Sequence, residues 1–190
     1  MPIKLLAGLG NPGAQYRETR HNAGFWVAEC YAEEKGAKLA FDKAFNARVG
    51  RAQALWIVLP ETFMNRSGFS VVGLARFYKI LPDEILVVHD ELDLLPGVVK
   101  FKRGGGHAGH NGLRDITSML GTGDFWRLRI GIGHPRTLAL DSEVASFVLN
   151  APRRDEKSAI DKGIERALDV LPAFIEGDYE GAMMRLHTRE

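Results

Sequence analysis

The sequence predicts an α/β fold, and three observations carry that prediction. Ile3-Lys4-Leu5-Leu6-Ala7-Gly8-Leu9 reads as a short, mostly apolar strand, stopped by the turn-forming run Gly10-Asn11-Pro12-Gly13. From Asn22 to about Lys35, apolar residues at Phe25, Val27, Ala28 and Tyr31 recur at helical spacing, with Asn22 available as the cap and Gly36 as the stop. A second apolar strand, from Ile85 to His89, recurs between helical patterns. Strands that alternate with amphipathic helices bury their apolar faces by packing helices on a sheet.

The remaining elements follow in order. Asn46 to Arg51 and Leu55 to Leu59 are β-like and close enough for a hairpin. The polar loop Pro60-Glu61-Thr62-Phe63-Met64-Asn65-Arg66-Ser67-Gly68 then leads into a helix ending near Tyr78. Past the strand at Ile85 come the acidic turn Asp90-Glu91-Leu92-Asp93 and a β-like segment from Val98 to Lys102. That segment enters a glycine-rich loop running from Gly104 to Gly112, and Leu113 to Leu120 fits a helix. Trp126 to Ile132 alternates basic with apolar residues, as expected of a strand with one face buried and the other positively charged. After His134-Pro135 the chain reads as helical to its end, including Asp141 to Leu149 and a long stretch from Arg153 to Ile175.

With 190 residues and 45% apolar content, one domain spanning residues 1–190 can bury an ordinary core. The longest apolar runs are far too short to span a bilayer, and the first residues lack the cleavage region of a secretory signal, so a cytoplasmic location is expected. The single cysteine, Cys30, excludes an internal disulfide and a cysteine-rich zinc site; inside a helical stretch it reads as a buried, inert thiol.

A net charge of +1 hides an uneven distribution. Between Gly97 and Arg136 stand seven basic residues, Lys100, Lys102, Arg103, Arg114, Arg127, Arg129 and Arg136, against the two acids Asp115 and Asp124. From charge alone, a solvated face explains this at least as well as an RNA site does.

Asn11 and Asp90 lie just past the ends of apolar strands, where the crevice of an open α/β sheet usually binds its ligand. His21 starts the helix after the first strand, so a short loop returns it to that crevice. Histidine takes a proton near neutral pH, and a carboxylate such as Asp90 would hold one ring nitrogen as donor while the other accepts. No serine sits in a Gly-x-Ser-x-Gly elbow, which leaves water as the simpler nucleophile.

Gly8-Leu9-Gly10-Asn11-Pro12-Gly13 does not complete Gly-x-Gly-x-x-Gly, and the triple glycine at 104–106 is not a Walker loop, so neither a dinucleotide nor an NTP is expected. His107 and His110, together with His21 or Asp90, invite a metal. The helical His-Glu-x-x-His pattern is absent, however, and no third ligand stands out, so no metal is expected and loop packing or RNA contact is the more ordinary role. The amides Asn11, Asn65 and Asn111 could read a peptide backbone and an ester without adding charge, or each could cap a turn.

Taken together, five ordered blocks resemble the bacterial peptidyl-tRNA hydrolase family. They are Gly8-Leu9-Gly10-Asn11-Pro12-Gly13 with Tyr16, Thr19-Arg20-His21-Asn22-Ala23-Gly24, Thr62-Phe63-Met64-Asn65-x-Ser67-Gly68, His89-Asp90-Glu91-Leu92-Asp93, and Gly104-Gly105-Gly106-His107-x-Gly109-His110-Asn111-Gly112. The resemblance implies a single α/β domain with a twisted, mixed central sheet flanked by helices. It also implies a cytoplasmic monomer that needs no cofactor and hydrolyses the ester between a peptide and the tRNA 3′ end.

By the same resemblance, His21 matches the catalytic base and Asp90 the carboxylate that supports it. Asn11 matches the residue that tells blocked from free aminoacyl-tRNA, and Asn65 and Asn111 match substrate-binding amides, with His110 beside them. Tyr16, Phe63 and Met64 match the channel walls, and Lys100, Lys102 and Arg129 a clamp for tRNA phosphate. Trp126 and the Thr122-Gly123-Asp124 stretch look variable, and the C-terminal helices resemble the family only loosely. A metal-dependent hydrolase and a non-catalytic RNA-binding module are the rival readings.

Overall fold

The computed structural model describes residues 1–140 and 142–188. Seven strands form one mixed sheet: β1 (Leu5–Gly8), β2 (Ala40–Asp42), β3 (Ala47–Ala52), β4 (Leu55–Pro60), β5 (Ile85–Glu91), β6 (Val99–Arg103) and β7 (Trp126–Gly131), in the order β2-β3-β4-β1-β5-β7-β6. The β4-β1-β5-β7 centre is parallel, and antiparallel strands close both edges. Among the described residues six α-helices accompany it: α1 (Ala23–Glu34), α2 (Ser67–Phe77), α3 (Asn111–Leu120), α4 (Val144–Val148), α5 (Arg154–Ile175) and α6 (Tyr179–His187).

Alternation along the strands sends side chains to two cores. Leu6 of β1 and Leu86 and Val88 of β5 pack with α1, α5 and α6 on one face. Leu5, Ala7, Ile85 and Val87 face α2 and α3 on the other. A central strand covered on both faces is apolar throughout, which is why β1 and β5 were the clearest elements in the sequence.

Glycine sets how closely α1 can approach. A Cβ on Gly24 would collide with the Val88 carbonyl oxygen and lie 2.5 Å from the Leu9 nitrogen, and one on Gly8 would lie 2.5 Å from the Gly24 oxygen. Since the obstacles are backbone, they cannot swing aside. Gly24→Ala is therefore expected to cost about 2 kcal/mol despite alanine's better helix propensity. Thermal denaturation should register a fall of several degrees in the midpoint, and no fall would show that α1 can slide on the sheet.

Several expectations need correction. Asp90 lies inside β5, not past it, because pairing with β7 continues through Asp90↔Ile130 and Glu91↔Gly131. The Asn22 side chain does not cap α1, because it is engaged by the backbone of Asn11. A third strand of the hairpin region, β2, had no clear sequence signal.

The chain after Pro135 is not helical throughout. Arg136 to Ala139 form turns and the helix starts only at Val144, while the expected start at Asp141 lies outside the described residues. Cys30 is exposed, on the outward side of α1. Cys30 is therefore not the buried thiol expected, and its pKa is pushed up by partial burial and by the charges of Glu34, Glu29, Glu33 and Asp161. Among the described residues, no helix is long and apolar enough to cross a membrane.

Candidate active site

The polar cluster stands at the carboxyl ends of β1 and β5. His21 sits on a 3₁₀ turn (Arg20–Asn22) that leads into α1, and Asp90 is the sixth residue of β5. The two are 8% and 3% exposed. His21 Nδ1 lies 3.0 Å from both carboxylate oxygens of Asp90. His110, just before α3, brings its Nε2 within 2.9 Å of Asp90 Oδ1.

Burial alone would lower the pKa of His21, but the charge and hydrogen bond of Asp90 outweigh it and raise the imidazole above its ordinary value. Burial would likewise raise Asp90, yet His21 and His110 hold it far below the usual carboxylate range. An ionised Asp90 fixes the proton of neutral His21 on Nδ1 and leaves Nε2 with a free lone pair. His89, fully buried behind the cluster, is pushed down to about 3 by burial and the neighbouring His110, so it stays neutral.

A cavity of about 810 Å³ opens on this cluster, and His21, Asp90, His110, Asn111, Lys102 and Arg129 all line it. Asn11, Tyr16, Phe63, Met64, Asn65 and Lys100 are not part of that lining. Asn11 walls a smaller neighbouring pocket of about 280 Å³. Its backbone is clamped by Asn22, whose Oδ1 accepts from Asn11 N at 2.9 Å and whose Nδ2 donates to Asn11 O at 3.0 Å. Asn11 Oδ1 accepts from Met64 N at 2.7 Å, so the acceptor end of that amide is engaged within the protein.

Met64 is buried, and its sulfur would lie 2.7 Å from a Cβ on Gly112, so the 3₁₀ turn at Met64–Arg66 and the start of α3 meet there. Asn65 and Asn111 are exposed on these two segments. Tyr16 meets Phe63 edge to face at 6.2 Å, and Phe63 is 57% exposed, forming an apolar rim.

The basic residues divide in a way the alternating pattern did not indicate. Register places Lys100 opposite Arg129 and Lys102 opposite Arg127, on the sheet face away from the Val99, Phe101, Leu128 and Ile130 core. Arg127 is nevertheless only 2% exposed: the glycine-rich loop folds over it, and the guanidinium donates to the carbonyls of Gly105, Gly106 and Gly123. It organises the loop and, with the more exposed Lys102 and Arg129, lines the cavity. His107 Nδ1 accepts from Gly109 N, a loop-packing role.

His21, Asp90 and His110 place ligand-capable atoms within 4.8 Å of one another, which is close enough for a cation. The donor set opposes one. His110 Nδ1 accepts the amides of Gly112 and Leu113, so its proton is on Nε2, the nitrogen a metal would need. Metal there would move the proton to Nδ1 and break both bonds. The third ligand that the sequence did not reveal thus exists in space but is already engaged in hydrogen bonding.

Sequence reasoning missed four further residues. Arg20 is buried beside His21, donating to Glu156 at 3.0 Å and to the carbonyls of Phe147 and Asn150. Asn22 and His89 flank the named residues within the blocks that signalled them, so adjacency was the available clue. Nothing in the sequence connects Arg20 to Glu156.

A parallel-sheet crevice that brings a histidine against a buried carboxylate is an arrangement that an α/β hydrolase can use. Comparison with known proteins adds the family: the peptidyl-tRNA hydrolase family model matches residues 5–190, and the chain belongs to that family. It is 56% identical to the peptidyl-tRNA hydrolase of Bordetella avium, covering 98% of this chain and 92% of that one. With that of Cupriavidus pinatubonensis it shares 55% identity over 98% of both. The crystal structure of the Acinetobacter baumannii enzyme superposes with a TM-score of 0.91 at 45% identity, covering 97% of this chain and 94% of that one.

Proposed function

We propose that this enzyme cleaves the ester between a peptide and the 3′ ribose of tRNA by direct attack of water, with His21 as the general base. One observation carries the reading: Nδ1 of His21 faces both oxygens of an ionised Asp90, so Nε2 is the acceptor. Nε2 takes a proton from water and the hydroxide adds to the ester carbonyl carbon. The resulting oxyanion collapses, and the ribose oxygen leaves with the proton returned from His21. Asp90 stabilises the imidazolium between the two transfers.

The amides complete the site. Asn11, held by Asn22 and Met64, directs its Nδ2 outward, where it serves the blocked amino end or the oxyanion. Asn65 and Asn111, exposed on neighbouring segments, position the peptide, and Tyr16, Phe63 and Met64 wall its path. Lys100, Lys102 and Arg129, which β6 and β7 bring to one face of the sheet, form a clamp for tRNA phosphate that positions substrate without reading sequence. No step of this mechanism calls on a metal or other cofactor, and both ring nitrogens of His110 are engaged in hydrogen bonds.

The reading is tested by the pH dependence of kcat/KM. The base acts when neutral, so activity falls as pH drops through the His21 pKa, and Asp90 places that limb above the ordinary histidine value of about 6.5. Asp90→Asn removes the raising influence and leaves burial dominant. Its limb should move to lower pH, with a rate loss smaller than that of deleting the base. A limb unmoved by Asp90→Asn would detach His21 from the titrating step.

A further inference from the structure

Both ring nitrogens of His110 are used inside the protein. Nδ1 accepts from the amides of Gly112 at 3.2 Å and Leu113 at 3.3 Å, which caps α3. Nε2, which therefore holds the proton, donates to Asp90 Oδ1 at 2.9 Å. The ring is braced by an edge contact with His89, centroids 5.1 Å apart. His89 in turn is pinned by its Nδ1–H donating to the Asp90 carbonyl oxygen at 2.8 Å. No ring nitrogen of His110 is left over for a substrate.

We infer that His110 is a positioning residue: its Nε2–H holds the Asp90 carboxylate, the first turn of α3 fixes its tautomer, and the carboxylate thereby orients His21. This rests on the reading of His21 as the base. It replaces the substrate contact expected for His110 with a link from the glycine-rich loop and α3 to the reacting imidazole.

The consequence is electrostatic as well as geometric. Asp90 divides its hydrogen-bonding capacity between two histidines, and removing one donor concentrates the carboxylate charge on the other. His21 would then hold its proton more tightly and become neutral only at higher pH. Other charged groups face the cavity: Glu91 on β5 and Asp93 beyond it, Lys102 on β6, Arg127 and Arg129 on β7, and His107 and His134 on the loops. None is altered in the variants below.

Two substitutions separate the two nitrogens. His110→Asn keeps an oxygen near the Nδ1 position, as a strong cap, but loses the donor to Asp90. His110→Gln extends an amide donor toward Asp90 but loses the cap. Each protein would be followed by NMR titration of the His21 ring, by kcat and KM on an N-acetylated aminoacyl-tRNA across pH, and by thermal denaturation.

For His110→Asn the expected result is a near wild-type thermal midpoint and KM, kcat lower by about tenfold, and a His21 titration moved upward by about one pH unit. His110→Gln should keep the His21 titration near that of wild type while its thermal midpoint falls. If His110→Asn raises KM alone, with the His21 titration and kcat unchanged, His110 is a substrate contact and the inference is wrong. It is equally overturned if both variants lose kcat in step with stability and neither moves the titration. A wild-type kinetic limb that departs from the His21 titration would instead remove the general-base reading, which the titration shift itself does not depend on.

Discussion

His21→Ala is expected to lower kcat by on the order of 10³-fold with KM close to that of wild type, a loss of about 4 kcal/mol of transition-state stabilisation. The split follows from position. His21 touches Asp90 within the protein, and the charged groups that would hold tRNA, Lys102 and Arg129, line the cavity on other strands. Removing the imidazole therefore takes away proton transfer and leaves the phosphate contacts. Steady-state kinetics on a blocked aminoacyl-tRNA measure both quantities. A rise in KM with kcat retained would make His21 a binding residue.

The second large effect is on stability. Arg20 and Glu156 form an ion pair with side chains only 5% and 3% exposed, and Arg20 also donates to the carbonyls of Phe147 and Asn150. Its guanidinium lies 3.9 Å above the Phe147 ring. Arg20→Ala leaves a buried carboxylate with only the half-exposed Arg153 as partner and removes the guanidinium's hydrogen bonds to the Phe147 and Asn150 carbonyls, which should cost about 3 kcal/mol. For a domain of this size the thermal midpoint should fall by roughly 6–12 °C.

Activity should fall too, because Arg20 precedes His21 and holds the segment whose Val144, Ala145 and Val148 line the cavity. Arg20→Met combined with Glu156→Leu should recover much of the stability, since apolar packing can replace a buried ion pair. A single variant as stable as wild type would mean that the pair only offsets its own desolvation.

These two residues mark what could be read from the sequence. The strands β1 and β5 were legible because strands buried on both faces are continuously apolar, and α1 because its core face repeats at helical spacing. The pairing of His21 with Asp90 was legible because both stand where a parallel sheet gathers side chains, beyond or at the ends of its strands. What the sequence concealed depends on contacts between distant segments. Arg20 and Glu156 are separated by 136 residues. Arg127 and Arg129 have the same chemistry and the same strand face, and only the fold of the glycine-rich loop buries the first. Asn22 had the residue type of a helix cap, and the backbone of Asn11 uses it instead. His110 had a place in a motif, but its two nitrogens acquire their roles from α3 and β5 together.

The most direct test compares hydrolysis of an N-acetylated aminoacyl-tRNA with that of the same aminoacyl-tRNA left unblocked, by wild type and by His21→Ala, in the presence of a chelator. This mechanism predicts cleavage of the blocked substrate by wild type alone, undiminished by the chelator. Tight tRNA binding without cleavage, or cleavage that His21→Ala retains, would contradict it.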